Sequence, residues 1–272
     1  MSLLDLLTAG DVEAFNAHRN LVGTEMKLSR SMERLSSGFR INRAADDSAG
    51  LAISEKLRAQ IGGIAQSQRN AQDAVSLVGT AEGALAEVHS MLSRVRDLAV
   101  QFNNGTLSAT DKAAITAEVA QLCAEVARIG SDTAFNGLAL LTGTAAITFQ
   151  VGAQDGQTLT VNGTQLFGPS GAVASGVFSF SGTVTLASID TAIGNVSTMR
   201  GSFGSVQNRL EHTLNNLSVY EENLQASESR IRDVDMARES VQLTKFQILQ
   251  QAGLSMLAQA TSSPQAVLSL LR

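Results

Sequence analysis

Two stretches far apart in the chain carry the same apolar rhythm, and nothing else in the sequence restricts the fold as much. From Ala71 the apolar residues fall at Ala74, Val78, Ala81, Leu85, Val88, Leu92, Val95, Ala99 and Phe102. Those gaps alternate between three and four, the repeat of a helix that hides one narrow stripe against another helix. The rhythm returns at Val206, Leu210, Leu217, Tyr220, Leu224, Ile231 and Val234, with Thr213 and Ser227 at the two polar positions. Stripes of matched length at opposite ends of a sequence are expected to pair antiparallel, with the chain between them forming a hairpin-like excursion. The fold class that follows is mainly α: a long antiparallel, coiled-coil-like helical rod built from paired amino- and carboxyl-terminal segments. In its seam Val78, Leu85, Leu92 and Val95 belong to one side, and Leu210, Leu217, Leu224 and Ile231 to the other.

The composition fits helix-on-helix packing. Of 272 residues 44% are apolar but only 4% aromatic, so the core must rely on Leu, Val, Ile and Ala. The prolines, Pro169 and Pro264, leave the first 168 residues free of that helix breaker. A net charge of −5, with no basic stripe interleaved with aromatics, argues against nucleic acid as a partner. No stretch reaches the roughly 18 uncharged apolar residues of a membrane span, so membrane insertion is not expected. The opening MSLLDLLTAG has no basic leader, and Asp5 interrupts its apolar run, so it does not read as a cleaved signal peptide. A lone cysteine, Cys123, excludes an intramolecular disulfide. Taken alone these features place the chain in the cytosol, an expectation that a resemblance given below reverses.

Residues 12–38 read as a helix closed by Gly38. Asn42 is the expected cap of the next helix, with Asp46 and Asp47 in its first turn, where carboxylates favour the positive end of the dipole. That helix has nothing to stop it before about residue 103, a length of roughly 90 Å. NNGTLSATD (103–111) reads as a turn, with Ser108 or Thr110 capping a third helix on Ile115, Val119, Leu122, Val126 and Ile129. SDTAFNG (131–137) closes it. Between 138 and 188 Asp155 is the one charge. ITFQVG (147–152) and TLTV (158–161) alternate around AQDGQ, a small β-hairpin signal. VFSFSGTVTL (177–186) reads as a further strand pair, and ASIDTAI (187–193) re-enters helix.

The tail is unusual. Residues 241–272 carry only Lys245 and Arg272 as charges. Val241, Phe246, Ile248, Leu249, Leu254, Met256 and Leu257 are expected on one face, with Gln242, Gln247, Gln250, Gln251 and Gln259 on the other. A helix facing water normally carries charge, so this one suits burial among copies of itself.

Catalytic and metal-binding patterns are weak. His18, His89 and His212 are far apart and fit no zinc spacing. Asp46 and Asp47 read better as helix-start residues than as a metal pair. Cys123 sits beside Leu122 on an apolar helix and reads as a small buried hydrophobe, not a nucleophile. Gly152, Gly156 and Gly163 match no phosphate loop. No cofactor is expected, and the chain is not read as an enzyme. Arg94, Arg96 and Asp97 stand outside the first stripe, as a solvated face would.

Several longer motifs carry a resemblance. ERLSSGFRINRAADDSAGLAIS (33–54) resembles the amino-terminal signature of bacterial flagellins, and DVEAFNAHRNL (11–21) is similar to the segment before it. RVRDLAVQFNNGTLS (94–108), FNGLALLTG (135–143) and FQVGAQDGQTL (149–159) continue the likeness in order. QNRLEHTLNNL (207–217), ESRIRDVDMARE (228–239) and MLAQATSSPQAVLSLLR (256–272) are similar to the flagellin carboxyl terminus. The likeness leaves out residues 1–10, where LLDLLTAG replaces the family's usual extended start, and roughly 162–186.

The resemblance implies a short-form subunit of the flagellar filament that polymerises with itself, is exported through the flagellar channel and ends in the extracellular flagellum. It implies an export chaperone and a cap protein as partners. Residues 1–40 and 236–272 would form the inner tube, with Leu21, Leu28, Leu35, Phe246, Ile248, Leu249, Met256 and Leu257 at the assembly surface. Residues 41–161 and 187–235 would form the helical shell with its β-hairpin, and 162–186 a short variable insert. It also implies a receptor, Toll-like receptor 5, through the matching positions Arg94, Leu98 and Glu118. The rival expectations are a hook–filament junction protein, a surface adhesin or glycan-binding homologue using the β region, and an enzyme within the insert.

Overall fold

The computed structural model describes residues 3–143, 146–163, 165–166, 172–173, 175–178, 180 and 185–269. Among the described residues five α-helices dominate: α1 (Leu3–Ser37), α2 (Ser48–Phe102), α3 (Ala109–Asp132), α4 (Leu186–Arg232) and α5 (Met236–Ser269). Two short hairpins follow α3: β1 (Ala134–Phe135) with β2 (Leu138–Ala139), and β3 (Ala146–Gln150) with β4 (Thr158–Asn162). The chain divides into two compact units, 1–59 with 224–272, and 60–223.

In the 60–223 unit, α2 and α4 lie antiparallel. Gln68 donates to Glu221 at 2.8 Å, Arg200 to Glu82 at 2.6 Å and Arg96 to Asp190 at 2.6 Å, so partners run in opposite order along the two helices. Between them Val78, Leu85, Leu92, Val95 and Leu210 are fully buried, and Leu217 is 7% exposed. The α4 stripe differs in detail from the sequence reading. It runs through Leu214, which packs on the core, and through Glu221, while Tyr220 is exposed. A strict seven-residue repeat drifts on a helix of 3.6 residues per turn, and here the drift carries Tyr220 out to solvent.

Helix α3 starts where a capping box sets it. The Ser108 hydroxyl receives the Asp111 amide at 3.2 Å, and the Asp111 carboxylate receives the Ser108 amide at 3.0 Å. Ile115, Val119 and Val126 then face the same core as α2 and α4.

The β1–β2 hairpin was not legible as a strand pair. It turns on Asn136 and Gly137, both at positive φ (49° and 79°), the geometry of a two-residue primed turn. The β3–β4 hairpin pairs Ile147 with Val161 and Phe149 with Leu159, and it buries Leu159 and Val161. Asn70 of α2 holds it by donating to the Gln150 carbonyl at 3.0 Å.

Of the expected 177–186 strand pair, Ser175–Phe178 is a 3-10 turn and Leu186 already begins α4. Residues 179 and 181–184 lie outside the described residues, as do 164, 167–171 and 174 of the 162–186 insert. Several of its described residues belong to the core: Leu166 and Val173 are fully buried, and Phe180 packs edge-on against Phe102 at 5.4 Å.

In the unit formed by 1–59 and 224–272, α1 lies along α5, joined by the start of α2 and the end of α4. The α1–α2 connector departs from expectation. Gly38 does end α1 with φ 76°, its amide bonding to the Arg34 carbonyl at 2.9 Å. Asn42, however, caps nothing: α2 begins at Ser48, and Asp47 caps it by accepting the Gly50 amide at 2.8 Å. Asp46 instead folds the connector, accepting the amides of Arg43 at 3.1 Å and Asn42 at 3.3 Å. The Arg43 amide in particular holds the Asp46 carboxyl below its usual range.

Candidate assembly faces

Helix α1 has two sides with different partners. Ala14, Ala17, Leu21, Thr24, Leu28, Ser31 and Leu35 recur at gaps of three and four and form one stripe, with Leu21 and Ser31 buried and the others half-buried. This inner stripe meets α5. The Ser31 hydroxyl donates to Glu239, Gln250 donates to Glu25 at 3.5 Å, and Leu21 packs over Gly253. The order of those partners makes the pair antiparallel. Gly253 allows the approach, because a Cβ there would stand 3.2 Å from Leu21 Cδ1.

Val12, Phe15, Val22 and Met26 lie on the opposite side of α1. They are 58%, 74%, 39% and 62% exposed, too large an apolar stripe to be scattered surface. Helix α5 repeats the plan. Leu243, Phe246, Gly253 and Leu257 lie half-buried on its inner side, while Val241, Ile248, Leu249 and Met256 stand exposed on the other. Val241, Thr244, Lys245, Ile248 and Leu249 line a shallow groove of about 520 Å³. Among the expected assembly residues, Leu21, Leu28, Leu35, Phe246 and Leu257 thus lie on inner stripes, and Ile248, Leu249 and Met256 on an outer one.

Both helix breaks sit side by side. Phe39 and Asp233 form an antiparallel bridge, flanked by Arg40 N–H to the Arg232 carbonyl at 2.7 Å and Val234 N–H to the Gly38 carbonyl at 3.0 Å. The Arg232 guanidinium lies 4.9 Å from the Phe39 ring centre and pairs with Glu55 at 2.7 Å. Leu224 and Ile231, expected in the long seam, are half-buried here on the last turns of α4.

Two family descriptions match the chain in order: the bacterial flagellin N-terminal helical region over residues 11–146, and the bacterial flagellin C-terminal helical region over 186–271. This chain belongs to the bacterial flagellin family. It is 49% identical over 267 residues to the flagellin of Halalkalibacterium halodurans, covering 96% of this chain and 98% of that protein. It is 44% identical over 281 residues to the flagellar filament 33 kDa core protein of Treponema phagedenis, again with 96% and 98% covered. A solved structure from Vibrio parahaemolyticus, described as flagellar hook-associated, aligns with a TM-score of 0.58 at 16% identity. It covers 69% of this chain and 100% of that one, and at that identity it speaks for the fold alone.

Elsewhere on this flagellin, Arg94 and Glu118 form a surface ion pair, with Nε and a terminal nitrogen 2.9 and 2.7 Å from one carboxylate oxygen. Leu98, one turn on from Arg94, is 2% exposed and belongs to the core beneath them. The flagellin's histidines stand singly: His18 and His212 are exposed, and His89 is half-buried with no partner for its Nδ1. Among the described residues no group of His, Cys, Asp or Glu could hold a metal ion. Cys123 is half-buried, and burial raises its thiol pKa. No described helix is long and apolar enough to cross a membrane.

The outer stripe of α1 and the Phe39–Asp233 bridge were missed at the sequence level. The first could have been found by continuing the three–four count from Val12 alongside the inner stripe. The second pairs backbone groups nearly the whole chain apart and leaves no side-chain pattern.

Proposed function

We propose that copies of this flagellin join through the outer stripes of α1 and α5. The chain is a structural subunit of the bacterial flagellar filament, a component that lies outside the cell. The observation that carries the assembly reading is that each terminal helix spends one apolar stripe on its partner and keeps a second uncovered. A neighbouring copy supplies the missing cover. The two outer stripes differ, one with Phe15 and Met26 and the other with Val241, Ile248 and Leu249. A contact between unlike surfaces does not close on itself, so repetition gives a helical array. Burying four such side chains yields roughly 6–12 kcal/mol, before the ordering and immobilisation costs of association are subtracted.

The test is growth from short filament seeds, followed by electron microscopy, with Ile248→Lys and Met256→Lys combined in the full-length chain. The variant is expected to keep its helical circular dichroism and to add nothing to the seeds. Elongation at the unsubstituted rate would sink the reading.

On the same reading, an export chaperone covers the outer stripes before assembly, and a cap protein holds the growing end. Receptor recognition is assigned to the Arg94–Glu118 pair, whose exposed polar atoms lie over Leu98. Arg94→Ala should weaken binding of the monomer to the Toll-like receptor 5 ectodomain, and unchanged binding would remove that assignment.

A further inference from the structure

Helix α5 poses a problem that its own sequence does not solve. Its two sides are both apolar: Leu243, Phe246 and Leu257 on one, Val241, Ile248, Leu249 and Met256 on the other. Hydrophobicity alone therefore does not decide which side meets α1 and which is left for a neighbouring copy. A one-residue shift where α5 begins turns the helix by about 100°, enough to swing Leu243, Phe246 and Leu257 off α1 and to change the face left for the next copy.

The Ser31–Glu239 bond and the Leu21–Gly253 contact hold the pair along its length. At the junction, two backbone hydrogen bonds beside the Phe39–Asp233 bridge add a slight hold on register. Arg232 makes one of them and adds three side-chain contacts. Its carbonyl accepts the Arg40 amide at 2.7 Å, and its guanidinium lies over the Phe39 ring, 4.9 Å from the ring centre. The same guanidinium pairs with Glu55 of α2 at 2.7 Å and reaches the Ser54 hydroxyl at 3.5 Å. Its side chain is only 12% exposed, though Arg is rarely so enclosed on a surface. Arg232 is also the last residue of α4, one step before the connector that launches α5.

We infer that Arg232 is a positioning residue for assembly: by fixing the connector against Phe39 and α2, it sets the rotation of α5 and so selects the stripe offered to the next subunit. This rests on the assembly reading above and adds the group that specifies its geometry. A lysine would keep the charge toward Glu55 but not the planar guanidinium over the Phe39 ring.

The register can be read by disulfide trapping in a Cys123→Ser background. Leu21→Cys with Gly253→Cys reports the native register, since a Cβ on Gly253 stands 3.9 Å from Leu21 Cβ, within the span of a disulfide. Leu21→Cys with Leu254→Cys reports a one-residue slip. In filaments of the otherwise unsubstituted chain the first pair should cross-link and the second should not. Arg232→Ala should lower the ratio of first to second at least ~3-fold, the scale of one cation–π contact, with Arg232→Lys between the two. An unchanged ratio in filaments of Arg232→Ala overturns the inference while leaving assembly through the outer stripes intact. If Arg232→Ala forms no filament, the preformed 21–253 disulfide should restore growth, and failure to restore it also overturns the inference. A chain with Arg232 intact that never extends seeds removes the assembly reading, and this inference with it.

Discussion

The Asp47 carboxylate and Gly50 fit together with no room for another carbon. One carboxylate oxygen accepts the Gly50 amide at 2.8 Å, while a Cβ on Gly50 would collide with the other oxygen and stand 2.8 Å from Ile41 Cδ1. Ile41 is itself 1% exposed, so it has nowhere to retreat. Gly50→Ala should therefore destabilise the α1–α2 connector by about 1–3 kcal/mol, through a lost cap and an overfilled site. Gly62→Ala is the control: a Cβ there meets no atom within 4 Å, and the helix should gain about 0.5–1 kcal/mol. Thermal melting followed by circular dichroism separates the two, and a Gly50→Ala protein as stable as the control would refute the argument.

Core and outer-stripe leucine-class residues should behave oppositely. Leu85 and Leu210 are fully buried between α2 and α4, and Leu85→Ala or Leu210→Ala should cost about 2–5 kcal/mol in urea unfolding. Ile248→Ala should change monomer stability by less than about 0.5 kcal/mol, yet slow growth from seeds. Equal losses of monomer stability at Leu85 and Ile248 would contradict this division of labour.

The capping box of α3 gives a stability that depends on pH. Ser108→Ala should cost about 1 kcal/mol. Hydrogen bonds from the Ser108 hydroxyl and amide lower the Asp111 pKa below that of a free aspartate. A lowered folded-state value means the stabilisation is complete above the ordinary aspartate pKa and fades as pH falls through the folded one. Asp111→Asn should remove that acid-side slope from a plot of melting temperature against pH, and a slope left unchanged would show that other carboxylates carry it.

Cys123 should be a slow thiol. Burial raises its pKa, so the folded protein holds little thiolate at neutral pH. Reaction with an aromatic disulfide reagent should be much slower for the native chain than for the chain in urea. Equal rates would place the sulfur fully in solvent.

What could be read in the sequence was what repeats. The stripe from Ala71 to Phe102 and the β3–β4 alternation recur at a helix and a strand period, so their residues announce their own burial. Residue type alone narrowed the α3 cap to Ser108 or Thr110, and the structure chose Ser108. Three features did not announce themselves. Asp46 and Asp47 are adjacent and chemically alike, yet one folds the connector and the other caps α2, a choice made by where the chain turns after Arg43. Tyr220 kept the seven-residue count and still left the core, because the count and the helix pitch disagree. The second stripe of α1 is interrupted at Arg19, so Val12, Phe15, Val22 and Met26 do not form an unbroken apolar count beside Leu21, Leu28 and Leu35.

The described part of α5 beyond residue 240 carries one charge, Lys245. Apart from Lys245, which lines the outer groove, a contact made from such a surface has little for dissolved ions to screen. Its strength answers to how strongly the solvent excludes apolar groups, so sulfate or phosphate should tighten it and plain sodium chloride leave it nearly as it was. A propeller joined in this way turns as firmly in brine as in pond water.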